Sequence, residues 1–430
     1  MELRYIIFFA VISTILFSLQ WLVYRTFNNF LKSNSLSRKT RFYLAAFPFL
    51  FFNIPLLLNF IFRGFISGLE SFWQYLITYP FYIFQAAIVF IGLYLLVGKI
   101  LKSPFTLFGW MFSKIKLTKD WLGKIRNDKA IVKFDNSRRK FITGASAIVS
   151  SYAFVGAGFG VLNKNDYKIE YVDIPVKNLS DEFVRTKFTF ISDIHSGPYM
   201  DESLMNDYVE ILNNLNSDYL FISGDLTNSM IEEAHPFSNA FKRLETNKGI
   251  YATLGNHDYF SDAEEVSKII SNETPIKIMR NESELLDING DKLCLLGIDD
   301  TRDSGGSYNQ AIIDYLDKAI IDAREKVGKA GLDYNKITKV LIYHKPYLFK
   351  DISEKNIDLT LSGHTHGGQV VLAKFGNLNI SLAATVSEYI SGLYRHGGNS
   401  LYVSRGLAPV GLPIRLNCPP EITVMRLVKQ

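Results

Sequence analysis

Histidine is scarce in this chain, seven residues in 430, yet five of the seven stand in short polar runs with Asp, Asn or Gly close by. The runs are Asp193-Ile194-His195, Gly224-Asp225, Gly255-Asn256-His257-Asp258, Tyr343-His344 and Gly363-His364-Thr365-His366-Gly367-Gly368. Imidazoles, carboxylates and a carboxamide oxygen, without thiolates, form a donor set that suits borderline metals such as Mn, Fe, Co or Zn. Seven donors with one carboxylate shared are enough for two ions, divalent or of mixed valence, rather than one. Two ions a few ångströms apart acidify water and clamp the oxygens of an in-line displacement, which is what phosphoester hydrolysis requires. His235 and His396 lack such neighbours and read as ordinary surface or core residues.

Each run follows a short apolar stretch. The pattern predicts strands over 168–175, 187–192, 219–223, 249–254, 276–279, 292–298, 340–343, 358–361 and 401–404, with Asn289-Gly290 as a hairpin turn. Helices are predicted over 202–215, 234–244, 262–270 and 310–326. Such alternation is that of a layered α/β domain, where ligands bind at strand ends. The glycines at 224, 255, 363, 367 and 368 allow sharp turns there and leave room for a phosphoryl group.

In order along the chain, Asp-x-His, Gly-Asp, Gly-Asn-His-Asp, His and Gly-His-x-His resemble the calcineurin-like metallophosphoesterase family over about residues 168–430. The resemblance implies a four-layer αββα sandwich. It implies that Asp193, His195 and His366 hold a first metal, that Asn256, His344 and His364 hold a second, and that Asp225 bridges the two. His257 falls where the family keeps a histidine that stabilises phosphoryl oxygens or protonates the leaving group. Asp258 would orient it, with a plain turn residue as the alternative. Gly367-Gly368-Gln369, Val403-Ser404-Arg405-Gly406 and Arg415-Leu416-Asn417-Cys418-Pro419-Pro420-Glu421-Ile422 resemble the membrane-associated bacterial branch. Arg405 is there either a phosphate contact or half of a structural salt bridge.

The other end of the chain is of a different kind. Residues 1–162 carry 19 Lys+Arg against 5 Asp+Glu, and residues 163–430 carry 28 against 37, so the net charge of +5 is a balance of +14 and −9. Residues 5–24, 42–62 and 72–97 are uncharged, and each is long enough to cross a hydrocarbon core of about 30 Å as a helix. Residues 1–98 therefore read as three membrane helices and 99–140 as a basic cytoplasmic linker. A fourth uncharged stretch, 141–162, reads as a further anchor ahead of the domain at 163–430. The basic loops at 25–41 and 98–140 stay in the cytoplasm, which puts the amino terminus outside and, if 141–162 spans, the catalytic domain outside as well. If 141–162 only lies on the surface, the domain is cytoplasmic. The run Ser137-Arg138-Arg139-Lys140-Phe141-Ile142 resembles a twin-arginine export signal, and a basic anchor flanking the span is the alternative.

Several functions are excluded or disfavoured. The uncharged spans lack the ionisable groups of a proton or ion path, which argues against a transporter. The −9 domain has no basic patch to neutralise a nucleic-acid backbone. Leu226-Thr227-Asn228-Ser229 after Gly224-Asp225 departs from the Asp-Arg-Gly that protein phosphatases carry there. Cys294 and Cys418 make no CxxC or finger spacing and read as two free thiols. The expected protein is a membrane-anchored, two-metal hydrolase of phosphodiester or pyrophosphate bonds, sited in the bacterial inner membrane and acting on a phosphorylated small molecule or lipid. The resemblance adds UDP-diacylglucosamine, as in lipid A synthesis, as a named candidate. A scaffold or sensor that binds metal without cleaving is the alternative.

Overall fold

A computed structural model describes residues 3–61, 71–114, 129–302, 306–375, 378–381 and 383–430. The chain divides into two compact units, Met1–Leu162 and Asn163–Gln430.

The first unit is helical. Four stretches are long and apolar enough to cross a membrane: Ala10–Ser33, Arg38–Leu58, Tyr75–Phe112 and Lys140–Leu162. The helix Leu3–Ser33 is continuous. The second stretch is not the single helix that 42–62 suggested, because it breaks at Phe52 and Asn53 and resumes at Ile54–Ile61. Pro55 has no N–H for the carbonyl one turn earlier, so the break falls just ahead of it. Side-chain amides take up backbone groups around the break. Asn53 Nδ2 donates to the Phe49 carbonyl at 2.7 Å, and Gln85 Nε2 donates to the Phe52 carbonyl at 3.0 Å. Tyr79–Ser113 runs well past residue 97, with Pro80 just after the π-helical turn Gln74–Thr78. Lys129–Leu162 takes the arginine pair into one helix, so the described parts of 99–140 are largely helical. Residues 62–70 and 115–128, which hold most of the second connection and the middle of the basic segment, lie outside the described residues.

The second unit holds two six-stranded sheets. The first has the order β1 (Lys168–Val176), β14 (Glu421–Lys429), β2 (Phe188–Ile191), β3 (Tyr219–Ser223), β4 (Gly249–Thr253), β5 (Ile276–Ile278). The second runs β12 (Gly392–His396), β13 (Asn399–Val403), β9 (Leu359–Ser362), β8 (Lys339–Ile342), β7 (Asp291–Gly297), β6 (Glu282–Ile288). A small hairpin, β10 (Val371–Phe375) with β11 (Leu378–Ser381), stands apart. Within each sheet the central strands are parallel, β2 with β3 and β4, and β7 with β8, β9 and β13. Their carboxyl ends therefore share one edge of each sheet.

Three apolar cores separate four layers. Phe188, Phe190 and Phe221 of the first sheet pack between the sheets with Leu295, Val340, Ile342 and Leu361 of the second. Met205, Phe237, Phe241, Val266 and Ile270, from helices Glu202–Asn214, Ala234–Phe241 and Ala263–Glu273, cover the outer face of the first sheet. Ile312, Leu316, Ala319 and Ala323, one stripe of helix Gly306–Lys329, cover the second. The arrangement is the expected αββα sandwich. Asn289 and Gly290 both take positive φ between Ile288 and Asp291, the tight turn their types suggested.

Candidate metal centre

Five strands deliver the polar runs. β2 leads to Asp193 and His195, β3 to Asp225, β4 to Asn256 and His257, β8 to His344, and β9 to His364 and His366. The chain bends hard as it leaves the sheets, since Asp193, His195, Asp225, His364 and His366 all have φ between 47° and 70°. That region is uncommon for residues with a Cβ, and its concentration here marks a site held in shape by its surroundings. Two glycines permit the close approach. A Cβ on Gly255 would lie 2.2 Å from Asp225 Oδ1, and one on Gly363 would lie 2.3 Å from Asp193 Oδ2.

The donors converge in two clusters that are consistent with a binuclear metal centre. Asp193, His195 and His366 bring donor atoms within 4.8 Å of one another, and so do Asp225, His344 and His364. A third overlapping set, His195, Asp225 and His257, links the two through Asp225. Asp225 Oδ2 lies 3.5 Å from His195 Nε2 and 3.1 Å from His344 Nε2, and His366 Nε2 lies 3.4 Å from Asp193 Oδ1.

The details fit metal ions. The Nε2 atoms of His195 and His366 face each other at 3.2 Å. His366 Nδ1 sits 2.9 Å from the Ala408 carbonyl and must carry the proton, so its Nε2 presents a bare lone pair. His344 likewise places Nδ1 2.8 Å from the Ser223 carbonyl, which fixes the ring with Nε2 turned toward Asp225. Asn256 Oδ1, just after β4, is buried without a hydrogen-bond partner, an orphan acceptor. Burial pushes His195 down to about 3, and pushes His364 and His366 well below the ordinary histidine range, which keeps them in the neutral form that ligates. Burial also raises Asp193 to about 6. At His344 burial disfavours charge, but the Asp225 carboxylate outweighs it and lifts the imidazole to about 10. Burial likewise works against the Asp225 charge, and His344, then His195 and His257, hold that carboxyl well below its usual range. The pair shows how strongly this pocket favours positive charge beside Asp225.

Asp258 sits among backbone donors. Its two oxygens accept from the backbone N–H groups of Gly255, Leu226 and Thr227 and from the Thr227 hydroxyl, so it is a buried brace between the β3 and β4 loops. His257 Nδ1 meets the Asn228 carbonyl. Arg405 Nη2 lies 2.7 Å from Glu170 Oε1, and its Nε lies 3.0 Å from both Glu421 Oε2 and the Pro419 carbonyl, the geometry of the salt-bridge alternative. His235 and His396 stand apart from the site, His235 near Glu273 and His396 at the exposed end of β12. Cys294 and Cys418 are free, buried thiols.

Sequence reasoning overlooked a group of braces. Arg415, buried, donates to the carbonyls of Arg405, Gly406 and Ala408, and the last of these also holds His366. Leu407 and Ala408 donate their N–H groups to the Ser192 and Asp193 carbonyls. Arg415 stood within the quoted tail motif, so the signal was present without its role. Glu233, beneath the Asn228 loop, had no signal of its own.

Residues 186–368 match the calcineurin-like phosphoesterase family model, and all seven donors fall inside that span. An uncharacterized metallophosphoesterase of Helicobacter pylori is 30% identical over 265 residues, 61% of this chain and 64% of its own length. A transmembrane protein with metallophosphoesterase domain from Bos taurus is 28% identical, covering 70% of this chain and 66% of its own length. An uncharacterized metallophosphoesterase of Bacillus subtilis is 25% identical over 68% of this chain and 97% of its own length. This chain thus spans less than two thirds of the first two, and the relatives include animal as well as bacterial proteins. Residues 186–368, with the paired clusters they build, match the calcineurin-like phosphoesterase family model, in a chain whose described residues before 163 include four stretches of membrane-spanning length.

Proposed function

We propose that this protein is a membrane-anchored phosphohydrolase working with two metal ions on phosphodiester or pyrophosphate bonds. The observation that carries the reading is the convergence of separate strand-end loops on two clusters joined by Asp225. Asp193, His195 and His366 would hold one ion, Asn256, His344 and His364 the other, and Asp225 both. Ions bound there would supply Lewis acidity toward phosphoryl oxygens and would lower the pKa of water. The protein's own part is to fix and shield the donors. His257, half-buried at 4.5 Å between ring centroids from His195, donates through Nδ1 to Asn228, which leaves Nε2 for a phosphoryl or leaving-group oxygen.

The substrate class follows from the setting. The same chain carries membrane-spanning helices, and exposed aromatic rings flank the donors, Phe260 beside His257 at 5.1 Å and Tyr347 beside His364 at 5.5 Å. Both features favour a lipid-linked or nucleotide-lipid phosphate, with UDP-diacylglucosamine the named candidate. The positive-inside pattern with a spanning 141–162 puts the active site outside the cytoplasm of a bacterial inner membrane, and the arginine pair at 138–139 is then a twin-arginine-like signal. A topology reporter fused after Gln430 tests this; a cytoplasmic signal would overturn the placement and the export reading.

The activity is tested with the full chain in detergent, manganese and a generic aryl phosphodiester. Wild type should hydrolyse it, and Asp225→Asn and His364→Ala should not; full activity in either variant would sink the assignment. Release of UMP from UDP-diacylglucosamine tests the named substrate, and turnover of the aryl diester without UMP release would remove it.

A further inference from the structure

We propose that Glu233 is a positioning residue for His257 and that it acts through the single peptide bond joining Asn228 to Ser229. The inference rests on the role given to His257 above. His257 Nδ1 meets the Asn228 carbonyl oxygen, and the N–H on the other side of that same peptide unit, that of Ser229, donates to Glu233 Oε2 at 2.6 Å. Carboxylate, peptide and imidazole thus form one line: an anion accepting from N–H, and the conjugated C=O accepting from the ring. A negative charge at the N–H end polarises the peptide and raises the electron density on its carbonyl oxygen, which strengthens the bond to His257. The expected carboxylate–histidine pairing is present, but with a peptide between its partners and with Glu233 in place of Asp258.

The carboxylate is built for this position. The same Oε2 also accepts from the N–H groups of Asn228 and Met230, both at 2.9 Å, so one oxygen gathers three consecutive donors and fixes the loop that presents the carbonyl. Glu233 is itself buried, and its backbone carbonyl accepts from the Ser196 hydroxyl at 2.7 Å, one residue beyond His195. Asn228 in turn donates its N–H to the Ser196 carbonyl at 3.1 Å. Gly197 leaves room for the second oxygen, since a Cβ there would lie 2.7 Å from Glu233 Oε1. A plain loop brace would need the three N–H contacts alone. The alignment of Ser229 N–H and Asn228 C=O between two functional side chains is what points to His257.

The test is a double-mutant cycle on the full, metal-loaded chain, comparing p-nitrophenyl and unsubstituted phenyl phosphodiesters. Glu233→Ala should lower kcat about 10- to 100-fold, the range for outer partners of a site histidine, and more for phenyl, the poorer leaving group. Glu233→Gln keeps an oxygen for the three N–H groups but loses the charge, and should fall between wild type and Ala. In a His257→Ala background both changes should be nearly silent. Metal content should stay constant throughout. Losses that add to those of His257→Ala, equal losses on both substrates, or loss of metal in Glu233→Gln would each overturn the relay while leaving His257 its role. A His257→Ala enzyme as fast as wild type would instead overturn the role of His257 itself, and the relay with it.

Discussion

Both units bury polar side chains, and they treat them in opposite ways. In Met1–Leu162 the buried amides Gln20 and Gln85 join Asn53 in a closed set: Gln20 Nε2 donates to Gln85 at 2.8 Å and to Asn53 at 3.1 Å, and Asn53 Nδ2 returns a bond to Gln20 at 2.8 Å. The groups are neutral, and their spare donors take up the carbonyls around a helix break. In Asn163–Gln430 the buried polar groups include a concentration of ionisable ones, Asp193, His195, Asp225, Asp258, His344 and His366 among them, and acceptors such as Asn256 Oδ1 are left without a partner. The first unit spends its polarity on holding helices together where no water can help. The second keeps polarity unsatisfied inside a dense scaffold, which is the condition for binding something else.

Breaking the second pattern should have the largest effect. Asp225→Asn keeps the shape but removes the charge that both clusters share, and kcat/KM on an aryl phosphodiester should fall about a thousand-fold or more. A loss under tenfold would mean that Asp225 is not shared. Next comes removal of metal. Each ion at about 100 times its Kd would contribute about 2.7 kcal/mol, so chelation of both should lower the Tm of the second unit by about 10–20 °C. All four tryptophans lie in residues 1–162, so selectively excited tryptophan fluorescence reports the first unit alone and should show an unchanged transition. A shift there would couple the two units in stability.

Arg405→Gln sharpens the distinction within the second unit. It leaves the buried Glu421 carboxylate without its cation, and denaturant unfolding should show a loss of about 1–3 kcal/mol, with KM unchanged. A raised KM at unchanged stability would restore the phosphate contact. Smallest is Gln85→Leu in the first unit. Loss of its bonds should weaken helix association by about 0.6–2 kcal/mol while kcat stays at the wild-type value. A drop in kcat would show that the amide set reports to the active site.

The site was far more legible than its supports. Apolar runs ending in Asp, Asn or His were visible because ligand chemistry demands particular side chains, and strand-end placement demands a short hydrophobic run ahead of each. β14 was overlooked. It lies between β1 and β2, parallel to one and antiparallel to the other, and buries Glu421 and Thr423, so its polar residues point inward, against the usual pattern. Thr423 donates to Glu421, and Glu421 is answered by Arg405 and Tyr402, which no local window contains. The bonds of Asp258 were hidden from local reading for a related reason. Adjacency to His257 suggested an orienting role, but the helical turn Asn256–Ser261 carries neighbouring side chains in different directions, and its carboxylate is consumed by the loops beneath.

By itself the sequence determined the kinds of donor, the order of the loops that carry them, the segregation of charge, and the helices of membrane-spanning length. These are properties of composition and of short periodic patterns, fixed by residue type and spacing. Only the tertiary structure decided that Asp225 lies between both clusters, that Arg405 answers Glu421, and that His257 faces Asn228 with Glu233 behind the same peptide. Those are distances of a few ångströms between residues far apart in the chain, or matters of side-chain direction. They exist only once two sheets have closed on a common core and forced the loops at their ends into one place.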